Sequence, residues 1–152
     1  MNDKEEQNVN EPVMIGEVPD GAEAFLAADI ALETKKPIIF VARDDKRLAR
    51  ASALFKFRLP EADILRFPAW DCLPYDRISP KADLIATRLA TLARLIRPAA
   101  KDRPRIVVTG INALMQRVPH PDFIKELSLS LRHGQEIGFE DVQQRLLALG
   151  FQ

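Results

Sequence analysis

The first chemistry to look for is phosphate binding. A phosphate-cradling loop needs glycine-rich backbone, then a lysine for charge and a hydroxyl for magnesium. The chain has six glycines, at positions 16, 21, 110, 134, 138 and 150, and none is followed by lysine. The nearest approach is Pro19-Asp20-Gly21-Ala22-Glu23-Ala24-Phe25, a loop that opens a helix. There Glu23 stands at the lysine position and Ala24 at the magnesium-hydroxyl position. A carboxylate repels phosphate, so this stretch reads as a capped helix start without a cofactor.

Nucleophilic and metal chemistry have fewer candidates. Cys72 is the single cysteine, and His120 and His133 are its two possible partners. A lone cysteine usually packs as a small apolar residue, so no catalytic residue is assigned. Asp44, Asp45, Asp71 and Asp76 fall in loops, but their spacing matches no known cation cage. One cysteine and two distant histidines do not make a structural zinc site. These carboxylates read as caps and solvated loop residues.

Two features suit macromolecular contact. Lys46 and Arg50 are four apart and share a helix face, next to Arg47, Lys56 and Arg58. A DNA-binding module using that face is one alternative, although most such charge clusters are solvated helix surface. The other feature is the stretch 68–80, which holds three prolines and the only Trp, Tyr and Cys of the chain. Trp70 and Tyr75, with Asp76 and Arg77, form the candidate interaction loop. Aromatic side chains on a proline-stiffened loop are good protein anchors, unless both rings fold back over the sheet.

Composition narrows the classes. Lys plus Arg and Asp plus Glu both total 22, so the formal charge is zero, against the basic excess of proteins that coat nucleic acid. With 47% apolar residues over 152 positions, the chain can bury a core without disulfides or metal. No apolar run approaches the roughly 18 residues of a membrane span. The polar, acidic N-terminus lacks a signal-peptide pattern. A cytoplasmic protein is expected.

The elements that must position these residues follow from short-range patterns. Residues 1–12 read as a disordered tail. Asp20 is the expected N-cap of a first helix, stopped by Pro37. Ile38 to Ala42 is an apolar run between breakers, the pattern of a strand buried on both faces. Asp44 is expected to cap a helix over about 45–57, with Leu48, Ala51 and Phe55 inward. Ile64 to Phe67 is a second strand. Ser79 is expected to cap a long helix with Pro80 first, facing the core with Ile85, Leu89, Leu92 and Ile96. Arg105 to Thr109 is a third strand, followed by a short helix over 111–117. Leu127, Leu129 and Leu131 alternate with polar residues, which predicts a strand with one wet face. A last helix over about 140–149 carries Val142, Leu146 and Leu149 on one side. Strands alternating with helices predict an α/β fold, a parallel sheet with helices on both faces. Its ligand edge is the carboxyl end of the strands.

One stretch is distinctive as a whole. Phe67-Pro68-Ala69-Trp70-Asp71-Cys72-Leu73-Pro74-Tyr75-Asp76-Arg77-Ile78-Ser79-Pro80 resembles the signature of the bacterial transcription-repair coupling factors, the Mfd family. The resemblance continues through Arg88-Leu89-Ala90-Thr91-Leu92, Ile106-Val107-Val108-Thr109 and Asn112-Ala113-Leu114-Met115-Gln116-Arg117-Val118-Pro119. It covers about Ile15 to Phe151.

The resemblance implies the N-terminal module of an ATP-dependent DNA translocase that displaces stalled RNA polymerase and recruits UvrA in nucleotide excision repair. That module is similar in fold to UvrB but has a decayed nucleotide loop, here the vestigial positions Gly21, Glu23 and Ala24. UvrB's long DNA-probing hairpin has no counterpart in the short 68–80 loop. The implied organisation is a UvrB-like α/β domain over 13–126 and the truncated start of a second, small α+β, UvrA-binding domain over 127–152. ATP and magnesium would then belong to motor domains of the parent, and RNA polymerase and DNA to other absent domains. The rival from another class is a small nucleotide hydrolase with a non-standard loop.

Overall fold

The structure is a computed structural model and describes residues 12–72, 77, 79–100, 103–129, 131 and 133–149. Three strands, β1 (Ile38–Ala42), β2 (Asp63–Phe67) and β3 (Arg105–Gly110), form one parallel sheet in the order β1-β3-β2. The helices are α1 (Ala22–Thr34), α2 (Asp45–Arg58), α3 (Ala82–Leu95), α4 (Ile111–Leu114), α5 (Pro121–Glu126) and α6 (Phe139–Ala148).

The strand order explains why helices lie on both faces. From β1 the chain crosses past β3 to reach β2, and then returns to β3. Two crossovers of the same hand in opposite directions must use opposite faces. One face gathers Phe40, Ala42, Ile106 and Val108 under α1 and α2, with Ala28, Ala31, Leu48 and Phe55 filling the layer. Phe40 and Phe55 meet edge-to-face at 5.3 Å. The other face gathers Leu65, Phe67 and Val107 under Leu92 of α3 and Ala113 of α4.

Short-range patterns placed the three strands and most helices correctly, and α2 does bury Leu48, Ala51 and Phe55 behind an Asp44 cap that accepts from the Arg47 amide at 2.8 Å. Several expectations are corrected.

The first helix is capped by Gly21, not Asp20. Gly21 has φ 96°, and a Cβ there would meet Leu54 at 3.3 Å, so only glycine turns the chain this tightly against α2. α3 starts at Ala82, with Lys81 rather than Ser79 at its cap. β3 is buried from Arg105 to Thr109, but β1 is not buried on both faces. Ile39 is 61% exposed and Val41 42%, because α3 packs chiefly on β2, at the other edge of the sheet.

α3 also turns an unexpected face inward. Its buried residues are Arg88 and Thr91, while Leu89, read as core, is 46% exposed. Residues 127–129 form no strand. Leu127 instead ends α5, a helix that the leucine alternation concealed, started by Pro121 and capped by His120. α6 buries none of its residues fully, although Val142 and Leu146 are the half-buried ones, as the spacing predicts.

Candidate functional site

The loops at the carboxyl ends of all three strands meet around a crevice of about 530 Å³. Arg43 and Asp44 come from the end of β1, Arg66, Trp70 and Asp71 from β2 and the loop after it, and Asn112 from α4. The β1 loop turns towards α2 on one face of the sheet, and the β2 loop towards α3 on the other. This divergence opens the sheet edge, as it does in other open parallel sheets.

The wall carrying Trp70 is built on a buried arginine. Arg88 is 2% exposed, and its guanidinium carbon lies 4.1 Å from the Phe67 ring centre and 4.2 Å from that of Trp70. Its Nη1 donates to the Pro68 carbonyl at 2.6 Å and to Gln116 Oε1 at 2.9 Å. The Trp70 amide donates to the same Gln116 oxygen at 3.2 Å. Burial lowers the pKa of Arg88 below the ordinary guanidinium value, and no carboxylate among the described residues pairs with it. Two aromatic faces and two oxygens replace the counter-ion. Thr91 adds a bond from its hydroxyl to the Arg66 carbonyl at 2.6 Å. The start of the loop is therefore tied to α3 and to the segment after α4.

The other expected site residues are placed as follows. Trp70 is half-buried against Arg88, and Arg77 is exposed. Tyr75 and Asp76 lie outside the described residues. Asp71 accepts from the Lys81 amide at 3.3 Å, which joins the two ends of the loop. Cys72 is half-buried. His120 caps α5, accepting from the Asp122 amide at 3.3 Å, and His133 lies in an exposed turn. Among the described residues no group of His, Cys, Asp and Glu could hold a metal ion.

At the candidate nucleotide loop, Glu23 Oε2 accepts from the Gly21 amide at 2.6 Å. Arg47 reaches Asp20 at 3.0 Å and Glu23 at 3.7 Å, and Arg50 pairs with Asp20. The loop's own carboxylates thus engage both arginines and an amide at the start of α1. This pairing also removes Arg50 from the free cationic face it was read to share with Lys46.

Arg88 and Gln116 were missed from the sequence as site-builders. Arg88 sits between Ile85 and Leu92 in a helix whose apolar stripe looked complete without it, and nothing at short range marks its burial. No described helix is long and apolar enough to cross a membrane.

No protein-family profile matches the chain. Individual relatives do. The transcription-repair-coupling factor of Haemophilus influenzae is 28% identical over 142 residues, 93% of this chain and 12% of that protein. The one from Escherichia coli K12 is 28% identical over 138 residues, 91% of this chain and 12% of that protein. The one from Mycobacterium tuberculosis is 31% identical over 134 residues, 86% of this chain and 11% of that protein. The resemblance carried by the Trp70 loop thus extends along about nine-tenths of the chain, a module similar to one stretch of the transcription-repair-coupling factors and spanning about 12% of the length of the first relatives it matches.

Proposed function

We propose that this chain is a non-catalytic, N-terminal, UvrB-like module of a transcription-repair coupling factor, working in nucleotide excision repair in the bacterial cytoplasm. The observation that carries the reading is the breadth of the similarity, 93%, 91% and 86% of the chain against proteins of that one name from three bacteria. The geometry supports a structural role. Asp20 and Glu23 engage the arginines and amide that a phosphate would otherwise meet, in keeping with a vestigial loop at Gly21, Glu23 and Ala24.

In this reading 13–126 is the UvrB-like domain and 127–152 begins the second domain, through which the parent meets UvrA. ATP hydrolysis, with its magnesium, and the contacts with RNA polymerase and DNA belong to other parts of the parent. The crevice wall at Trp70 presents a rigid surface to those neighbours.

A chimera tests the reading. This chain replaces the 138 residues it matches in the Escherichia coli protein. Preferential repair of the transcribed strand should be kept, while the isolated chain hydrolyses no ATP. ATP hydrolysis by the isolated chain, or a folded chimera that has lost strand preference, would overturn it.

A further inference from the structure

At the opposite, amino-terminal end of the sheet two hollows adjoin, far from the Trp70 loop. The larger, about 500 Å³, lies between the end of α1, the entry to β1 and the segment before β3. Its floor is apolar, made by Ala31, Leu32, Pro37 and Ala99, and its rim carries Lys35 and Arg103. Leu32 is 43% exposed there. The smaller, about 270 Å³, shares Ala100, Arg103 and Arg105 with the first and adds Arg94 and Arg97.

The charge is unbalanced on a chain whose formal charge is zero. Among the described residues, Lys35, Arg94, Arg97, Arg103 and Arg105 line the pair of hollows, against the carboxylates of Glu61 and Asp63. Asp63 is already engaged by Arg105 at 2.9 Å and by Arg94. Glu61 reaches Arg103 only at 3.8 Å, with both side chains largely in water. Lys35 and Arg97 have no side-chain ion pair among the described residues. The backbone holding these cations is well anchored. Lys35 closes α1 in the left-handed region, its amide donating to the Ala31 carbonyl at 3.1 Å. The Arg97 carbonyl accepts from Arg105 Nη1 at 2.7 Å.

We propose that this hollow docks an acidic peptide segment carrying one apolar side chain. The apolar side chain covers Leu32 and Pro37, which are exposed, and flanking carboxylates meet Lys35, Arg103 and Arg97. Charge complementarity sets the partner and the orientation, and the apolar floor adds contact area. A nucleic-acid backbone fits less well. It has no apolar group for the floor.

The test uses a fluorescein-labelled peptide of the type Asp-Glu-Leu-Asp-Glu, followed by fluorescence anisotropy. It should bind saturably at low salt and weaken as salt rises. Lys35→Glu and Arg103→Glu should each weaken it by about tenfold or more. Leu32→Ser should weaken it without changing the salt dependence. Lys46→Glu, on exposed α2 surface, should leave it unchanged. Lys35, Arg103 and Leu32 are exposed, and circular dichroism checks that each variant folds. The proposal fails if the peptide shows no saturable binding at millimolar concentration, or if the Asn/Gln version binds equally well. It also fails if a short DNA duplex binds more tightly and responds to Arg103→Glu but not to Leu32→Ser, which would make the hollow a nucleic-acid contact.

Discussion

The guanidinium of Arg88 lies 4.2 Å from the ring centre of Trp70, closed against it by Phe67 on the other side. The contact joins α3 to the loop after β2, and so couples the stability of the fold to the shape of the carboxyl-end crevice. Removing Arg88 takes away the donor to Pro68 O, leaves Gln116 Oε1 with only the Trp70 amide, and leaves both rings without their cation. Arg88→Ala should cost about 3–5 kcal/mol. Trp70→Ala should cost more than the roughly 0.5 kcal/mol of an exposed site and less than the roughly 3–5 kcal/mol of a fully buried aromatic. Denaturant unfolding of both single variants and the double variant should give a coupling of about 0.5–3 kcal/mol. Additive losses would mean that the two side chains act independently. Arg88→Lys should recover little, because an ammonium cannot stack its plane between two rings.

The two faces of the sheet should respond differently to truncation. Ile106 is fully buried on β3, the central strand, whereas Ile39 on β1 is 61% exposed. Ile106→Ala should cost about 2–5 kcal/mol, and Ile39→Ala about 0.5 kcal/mol or less. A comparable loss at both positions, read from urea midpoints, would mean that Ile39 is covered in solution.

Acid should loosen the start of α2. The Arg47 amide holds the Asp44 carboxyl below its ordinary value of 3.8. A carboxylate with a lowered folded pKa stabilises the fold above its unfolded value, and that contribution is lost as pH falls through the folded value. The cap is thus intact at neutral pH and opens below about pH 4. The NMR titration of the Asp44 carboxyl carbon should have its midpoint below 3.8. Asp44→Asn should remove the matching pH dependence of the Arg47 amide shift. A midpoint at or above 3.8 would rule out the cap as the cause.

Nucleotide should not bind. Asp20 and Glu23 fill the anion-seeking groups at the start of α1 with the chain's own carboxylates. Calorimetry with millimolar Mg-ATP should give only heats of dilution. Saturable micromolar binding would make the loop a working site.

Of the longer helices among the described residues, α6 should be the least protected. α6 buries none of its residues, and Phe139 and Leu147 are 80% and 59% exposed. Local opening is easiest where few apolar contacts are made. Hydrogen exchange on a dilute monomer should be fast across 139–148 and slow at Ile106 to Val108. Protection at Leu146 equal to that at Val107 would mean that the segment belongs to the same cooperative unit as the sheet.

Short-range chemistry was enough to determine three parallel strands, the helix expected over about 45–57 and its Asp44 cap. Apolar runs, breakers and caps act over a few residues, so they are legible one segment at a time. Tertiary structure decided the rest. Only the pairing of strands shows that β3 is central and that β1 leaves Ile39 open, because burial depends on which distant segment lies alongside. Only packing shows Glu23 and Asp20 meeting Arg47 and Arg50, more than twenty positions away. Arg88 is the clearest case. On the helix it is an ordinary charged residue beside an apolar stripe, and it becomes part of the core because Phe67 and Trp70, twenty-one and eighteen positions earlier, close over it.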